Sequence, residues 1–109
     1  MVRDKGLEAV IEDDLASVSG LTSKSMFGGW VWLLHNNLLC GSREEGMLVR
    51  LGKGNDAWAL EVVGIEPMYS GERRMHGWVR AAPSVYADAR MRRRLIDAAL
   101  QFVRTLPRK

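Results

Sequence analysis

The sequence predicts an α+β domain with an antiparallel sheet, and three observations support this fold class. Residues 26–41 contain two runs of large apolar and aromatic side chains separated by two asparagines, which is typical of a β-hairpin. Apolar residues recur at helical spacing over residues 89–105. The 109-residue length suits one domain over residues 1–109, and a hydrophobic fraction of 47% can fill its core without disulfides.

A first helix is predicted over residues 4–16 from four apolar side chains at helical spacing, Leu7, Val10, Ile11 and Leu15. Asp13 and Asp14 fall near its C-terminal end, where the helix dipole disfavours carboxylates. The sequence assigns these two carboxylates no compensating cation. Residues 17–24 contain three serines and a glycine, and are predicted to form a loop or a frayed turn.

The first strand is predicted over residues 26–34, and it contains Gly28 and Gly29, which mark a bulge or a close backbone approach. A phosphate-binding loop would need a helix after the glycines, whereas a strand follows them here. Because asparagine tolerates positive φ, the two asparagines at 36–37 are predicted to form a tight turn. The turn leads into a second strand over residues 38–41.

The third strand is predicted over residues 47–51, where side chains should alternate between the two faces of the sheet. Leu48 and Arg50 share one face, and we interpret Arg50 as a solvent-facing or cross-strand charge. The opposite face then takes Met47, Val49 and Leu51.

A second helix is predicted over residues 57–63, with Trp58 facing inward and Gly64 ending the helix. A short fourth strand follows over residues 68–70, and a fifth strand over residues 75–81. With the last helix, the order of elements is α-β(3)-α-β(2)-α.

The last helix is predicted over residues 89–105, with Asp88 as its N-cap. Its apolar stripe consists of Met91, Leu95, Ala98, Phe102 and Leu106. Ile96, Ala99 and Val103 widen this stripe, and Leu100 extends it toward the opposite side. A face of this width predicts contact with more than the chain's own sheet, so we expect a homodimer.

Charge is distributed unevenly along the chain. The net charge is −3 over residues 1–20, −1 over residues 21–70 and +7 over residues 71–109. The basic third could contact nucleic acid. More simply, it could lie against the acidic first helix, of its own chain or of a partner. The candidate nucleic-acid or partner surface comprises Arg73, Arg74, Arg80, Arg90, Arg93, Arg94 and Arg104.

Several features predict a cytoplasmic protein that does not enter a membrane. The first residues lack the apolar segment of a signal peptide, and no apolar run reaches the length of a membrane span. The single cysteine excludes an internal disulfide and fits a reducing compartment.

Catalytic and metal-binding patterns are weak. The histidines and the cysteine (His35, Cys40 and His76) show no paired spacing, so no metal site and no cofactor is predicted. A thiol enzyme built on Cys40 would need a nearby base and a depressed thiol pKa, and a buried, inert thiol is the commoner outcome. The sequence therefore predicts a protein without enzymatic activity and without catalytic residues.

Short motifs follow one another in order from about residue 6 to the end of the chain. They are Met26-Phe27-Gly28-Gly29, Cys40-Gly41, Met47-Leu48-Val49-Arg50 with Gly52, Met68 with Gly71 and Met75, Gly77-Trp78-Val79, and Phe102-Val103-Arg104-Thr105-Leu106-Pro107. Each motif is weak alone, but the ordered series is specific. It resembles the TfoX N-terminal domain family, the TfoX/Sxy-like proteins.

The resemblance implies a two-layer domain with a five-stranded antiparallel sheet, similar in fold to type III secretion chaperones. It also implies a bacterial cytosolic protein with no enzymatic activity. The family's namesake regulates transformation competence by helping a transcription factor act at competence promoters. The namesake carries a second, helical C-terminal domain that these 109 residues do not include. The turn at residues 70–75 looks one residue longer than in many relatives.

The sequence therefore supports three hypotheses for the function of the protein. The first is a regulatory or adaptor domain that acts through protein contacts, as a homodimer, on a transcription factor or another protein. The alternative is a non-specific nucleic-acid-binding module that uses the basic C-terminal third. The most remote is the thiol enzyme built on Cys40.

Overall fold

The computed structural model describes residues 5–26, 28–43 and 46–108. Three features predicted from the sequence involve residues outside these ranges: Asp4 at the start of the first helix, Phe27 of the family motif, and the turn residues Glu44 and Glu45. These lie outside the described residues.

The described residues form four helices and six strands. In chain order these are α1 (Lys5–Asp14), β1 (Leu21–Met26), β2 (Gly29–Leu34), β3 (Asn37–Arg43), β4 (Gly46–Arg50), α2 (Ala57–Leu60), β5 (Ile65–Ser70), β6 (Arg73–Ala81), α3 (Pro83–Tyr86) and α4 (Ala89–Val103). The strands make one antiparallel sheet in the order β1-β2-β3-β4-β6-β5. The predicted α+β class and the antiparallel sheet are confirmed, whereas the predicted number of five strands is wrong.

The additional strand is β1, in place of the loop predicted over residues 17–24. Its residues from Thr22 to Ser25 are exposed, because β1 is an edge strand that pairs only with β2. Met26 pairs with Gly29, so the glycine pair belongs to a hairpin turn and not to a bulge within one long strand. Polar residues on an exposed edge strand give little apolar alternation, and the strand was missed for this reason.

The turn between β2 and β3 lies one residue earlier than predicted. His35 and Asn36 have φ values of 51° and 67°, as a primed turn requires, and Leu34 pairs with Asn37. Asn37 is buried, and its side-chain amide donates a hydrogen bond of 2.8 Å to the carbonyl oxygen of Pro107. The C-terminal segment is thereby fixed to the start of β3.

The main core lies between one face of the sheet and the helices. Strand β4 contributes Met47 and Val49 to this core, while Leu48 joins a second apolar cluster with Met68 and Trp78. The predicted alternation along this strand is therefore confirmed. The helical side of the core is filled mainly by α1 and α4, through Leu7, Ile11, Leu95, Ile96, Ala99, Leu100 and Val103.

The remaining differences concern the length and number of short elements. Helix α2 ends at Leu60, earlier than the predicted 57–63, and α3 was not predicted. Strands β5 and β6 are longer than the predicted 68–70 and 75–81. The predicted N-cap of α4 is confirmed, because one carboxylate oxygen of Asp88 accepts hydrogen bonds from the backbone N–H groups of Arg90 and Met91, at 3.0 and 3.4 Å.

Candidate functional site

The exposed face of α4 forms a shallow groove with Trp58 of α2. The guanidinium of Arg94 lies 4.2 Å from the centroid of the Trp58 ring, in cation–π geometry. This groove has a volume of about 530 Å³, and its other lining residues are Arg90, Arg93, Asp97, Ala98 and Gln101. It therefore combines three arginines with one aromatic side chain and one carboxylate.

A second cleft, with a volume of about 680 Å³, adjoins the arginine groove and shares Trp58, Ala98 and Gln101 with it. Its remaining lining is neutral: Leu51, Gly54, Asn55, Ala57, Phe102 and Thr105. The two cavities together follow α4 from Arg90 and continue past its C-terminal end to Thr105, and we call this continuous surface the α4 groove. One of its ends is basic and the other is apolar and neutral.

The apolar end is positioned by close contacts around Phe102. Gly52 has a φ of 98°, and a β-carbon there would lie 2.4 Å from the Phe102 ring. The Arg50 guanidinium lies 5.5 Å from the centroid of that ring, and it also donates a hydrogen bond of 3.3 Å to the Leu38 carbonyl oxygen. Burial lowers the pKa of Arg50. Arg50 is therefore a cross-strand charge, one of the two roles expected from the sequence.

The seven arginines of the predicted surface do not lie together. Arg90, Arg93 and Arg94 meet in the α4 groove. Arg80 pairs in register with Leu48, which places it on the sheet face opposite the main core. Arg73 and Arg74 begin β6, with Arg74 4.0 Å from Asp56, and Arg104 caps the C-terminus of α4.

Arg92, which the predicted surface does not include, forms a buried ion pair with Asp14. The Nε of Arg92 donates a 2.6 Å hydrogen bond to Asp14, and its side chain is only 11% exposed. Arg93 also approaches Asp14, at 3.4 Å, but is 70% exposed. Part of the basic third therefore lies against the acidic first helix of its own chain. This arrangement was one of the two explanations that the sequence offered for the basic third. These arginines are the cations that the sequence did not assign to Asp14.

The position of Arg92 could have been recognised from the spacing of apolar residues. Arg92 stands four residues before Ile96, on the helical stripe that continues through Ala99 and Val103, and those three residues are buried. An arginine at the start of a buried stripe indicates a buried ion pair. The stacking of Trp58 on Arg94 has no such signal, because the two residues lie on separate helices.

The wide apolar face of α4 is largely covered by the chain itself. Leu95, Ile96, Ala99, Leu100 and Val103 are buried in the isolated chain. The other members of the predicted face are half-buried, so most but not all of its width is covered within the single chain: Met91, Ala98, Phe102 and Leu106. The homodimer stays a prediction.

His35, Cys40 and His76 were the residues considered for metal binding or thiol chemistry. Within residues 5–26, 28–43 and 46–108, no three His, Cys, Asp or Glu side chains are grouped so as to hold a metal ion. Cys40 is fully buried, and burial followed by the charge of Asp14 raises its pKa from 9.0 to about 12. The thiolate that a nucleophile needs is therefore disfavoured in the folded protein.

We expect Cys40 to be unreactive toward iodoacetamide in the native protein at mildly alkaline pH, and to react fully in urea. Both the burial of the sulfur and its raised pKa slow the reaction. Mass spectrometry of the alkylated protein checks this. Labelling of the native protein as fast as that of the unfolded chain would overturn the assignment of Cys40 as a core residue.

These features define a small α+β domain with a six-stranded antiparallel sheet and a groove along its last helix. The chain matches the family model of the TfoX N-terminal domain over residues 13–103, and it belongs to that family. No curated protein and no solved structure matches the chain. No helix in the described part of the chain is both long and apolar enough to cross a membrane.

Proposed function

We propose that this protein is a non-enzymatic regulatory or adaptor domain of the bacterial cytoplasm, which acts through protein contacts in the control of competence genes for DNA transformation. Membership of the TfoX N-terminal domain family is the observation that carries the proposal. The proposed partners are a transcription factor or another protein, and a second copy of the chain. We also propose that the fold is similar to that of type III secretion chaperones.

The distribution of the arginines supports protein contacts over direct binding of nucleic acid. A duplex-binding surface gains affinity by placing many cations along one phosphate backbone. Here Arg92 and Arg93 are engaged by Asp14, and Arg80 lies on another face of the molecule than α4. The basic third is thus divided among several surfaces, which suits local contacts with a protein.

The proposal is tested by measuring the binding of a short random DNA duplex at low and physiological salt, with light scattering on the same sample. We expect a dimer that does not bind the duplex. In parallel, deletion of the gene in its own host should lower the transcript levels of competence genes. Salt-sensitive duplex binding would favour the nucleic-acid alternative, because log affinity falls linearly with log salt when phosphates are contacted. Unchanged competence transcripts would overturn the regulatory role.

A further inference from the structure

We propose that the α4 groove is a docking site for an acidic, amphipathic segment of a partner protein, with carboxylates at the arginine end and apolar side chains at the Phe102 end. This inference rests on the proposed function, since it names the surface and the partner chemistry of an adaptor. The juxtaposition of Arg90, Arg94 and Trp58 with the neutral cleft beside Phe102 carries it.

The arginine end of the groove has an excess of positive charge. Arg90, Arg93 and Arg94 face the groove with a single carboxylate, Asp97, and no ion pair within 4.0 Å joins Asp97 to a described arginine. Arg93 is shared with Asp14, which leaves Arg90 and Arg94 to meet an incoming anion. Arginine recognises carboxylates with paired hydrogen bonds, so acidic side chains fit this end.

The other end of the groove lacks charged lining residues among those described. Ala57, Ala98 and the half-buried Phe102 offer apolar surface above the buried Leu51, and the polar lining residues are uncharged. The groove follows α4 from Arg90 to Phe102, about 18 Å at 1.5 Å of rise per residue, and Thr105 lies just beyond the end of the helix. A peptide helix of three to four turns is of similar length, and such helices bind grooves through one apolar face.

An acidic peptide fits this surface better than nucleic acid does. A phosphate backbone carries charge along its whole length, whereas half of the groove is neutral and Asp97 lies in the charged half. Trp58 is already stacked by Arg94, so its ring face is occupied on that side and less available to a base. A segment with carboxylates in one half and leucines in the other matches both ends.

The probe is a synthetic 16-residue helical peptide with glutamates in one half and leucines at helical spacing in the other. The protein is labelled with 5-fluorotryptophan, and the fluorine resonance of Trp58 is assigned with the variant Trp58→Phe. We expect the peptide to shift this resonance and to leave that of the buried Trp32 unchanged. The double variant Arg90→Gln/Arg94→Gln should weaken the affinity by about tenfold or more.

Two further variants separate the groove from general charge. Arg73→Gln/Arg108→Gln removes the same charge from exposed positions outside the groove, and it should bind like the wild type. Asp97→Asn removes the carboxylate that repels the peptide, and it should raise the affinity about threefold. Equal weakening by both double variants would overturn the proposal, as would an unchanged affinity of Asp97→Asn.

A peptide with lysines in place of the glutamates and a random DNA duplex serve as the other probes. Failure of all probes to shift Trp58, or a shift caused by the duplex alone, would overturn the acidic-peptide site. These outcomes are independent of the competence transcripts that test the proposed function. A bound peptide with unchanged transcripts would leave the groove established and the regulatory role rejected.

Discussion

Gly29→Ala is expected to destabilise the protein by about 3 kcal/mol or more, because the added methyl group overpacks a backbone contact. A β-carbon at Gly29 would lie 1.9 Å from the carbonyl oxygen of Ser42 and 3.0 Å from its carbonyl carbon. Both atoms belong to the backbone of β3, so no side-chain rotation relieves the clash. The two strands would have to separate where Trp30 pairs with Ser42.

The neighbouring glycine offers a matched control, since Gly28→Ala changes the same kind of residue one position away. Gly28 has a φ of 74°, but its β-carbon would meet no atom within 4 Å. Only the strain of a left-handed conformation is expected, about 1 kcal/mol. Urea unfolding followed by tryptophan fluorescence measures both variants. Equal losses in the two variants would show that β2 and β3 do not approach as closely as the structure indicates.

The glycine pair also shows what the sequence can and cannot predict about the sheet. Gly28 and Gly29 were expected to mark a bulge or a close approach, and the close approach at Gly29 agrees. The preceding strand was missed because residues 22–25 are polar and exposed, so no alternation distinguishes them from a loop. Pairing with β2 supplies the information that the local sequence lacks.

Helix α4 was the element most accurately predicted, because its cap and its buried stripe are both local patterns. Asp88 accepts hydrogen bonds from the first turn, and the helix ends at Val103, two residues before the predicted end at residue 105. The face of α4 that lines the groove was only partly predictable. Helical spacing brings Arg90, Arg93 and Arg94 to one side, but the groove also needs Trp58, whose position depends on how α2 packs. Periodicity within one helix carries no information about its neighbours.

The ion pair between α1 and α4 is expected to dominate the charge contribution to stability. Arg92→Met should destabilise the protein by about 3 kcal/mol, the lower end of the range for a broken buried pair, because Arg93 still approaches Asp14. The side chain of Asp14 is 4% exposed, so its carboxylate cannot regain water when Arg92 is lost. The change also leaves the Tyr86 carbonyl oxygen without the 2.9 Å hydrogen bond from Arg92.

Arg93→Met serves as the matched control. It removes one positive charge from the adjacent position, and Arg93 approaches the same carboxylate, that of Asp14. Its side chain is 70% exposed and lies 3.4 Å from Asp14, so a loss of less than about 1 kcal/mol is expected. The double variant Arg92→Met/Asp14→Leu should recover most of the loss of Arg92→Met, since apolar residues can replace a buried pair without leaving an unpaired charge. Urea unfolding at two salt concentrations measures all three variants. If Arg92→Met and Arg93→Met lost equal stability, the charge on α4 would act through its general field, and the buried contact with Asp14 would contribute nothing specific.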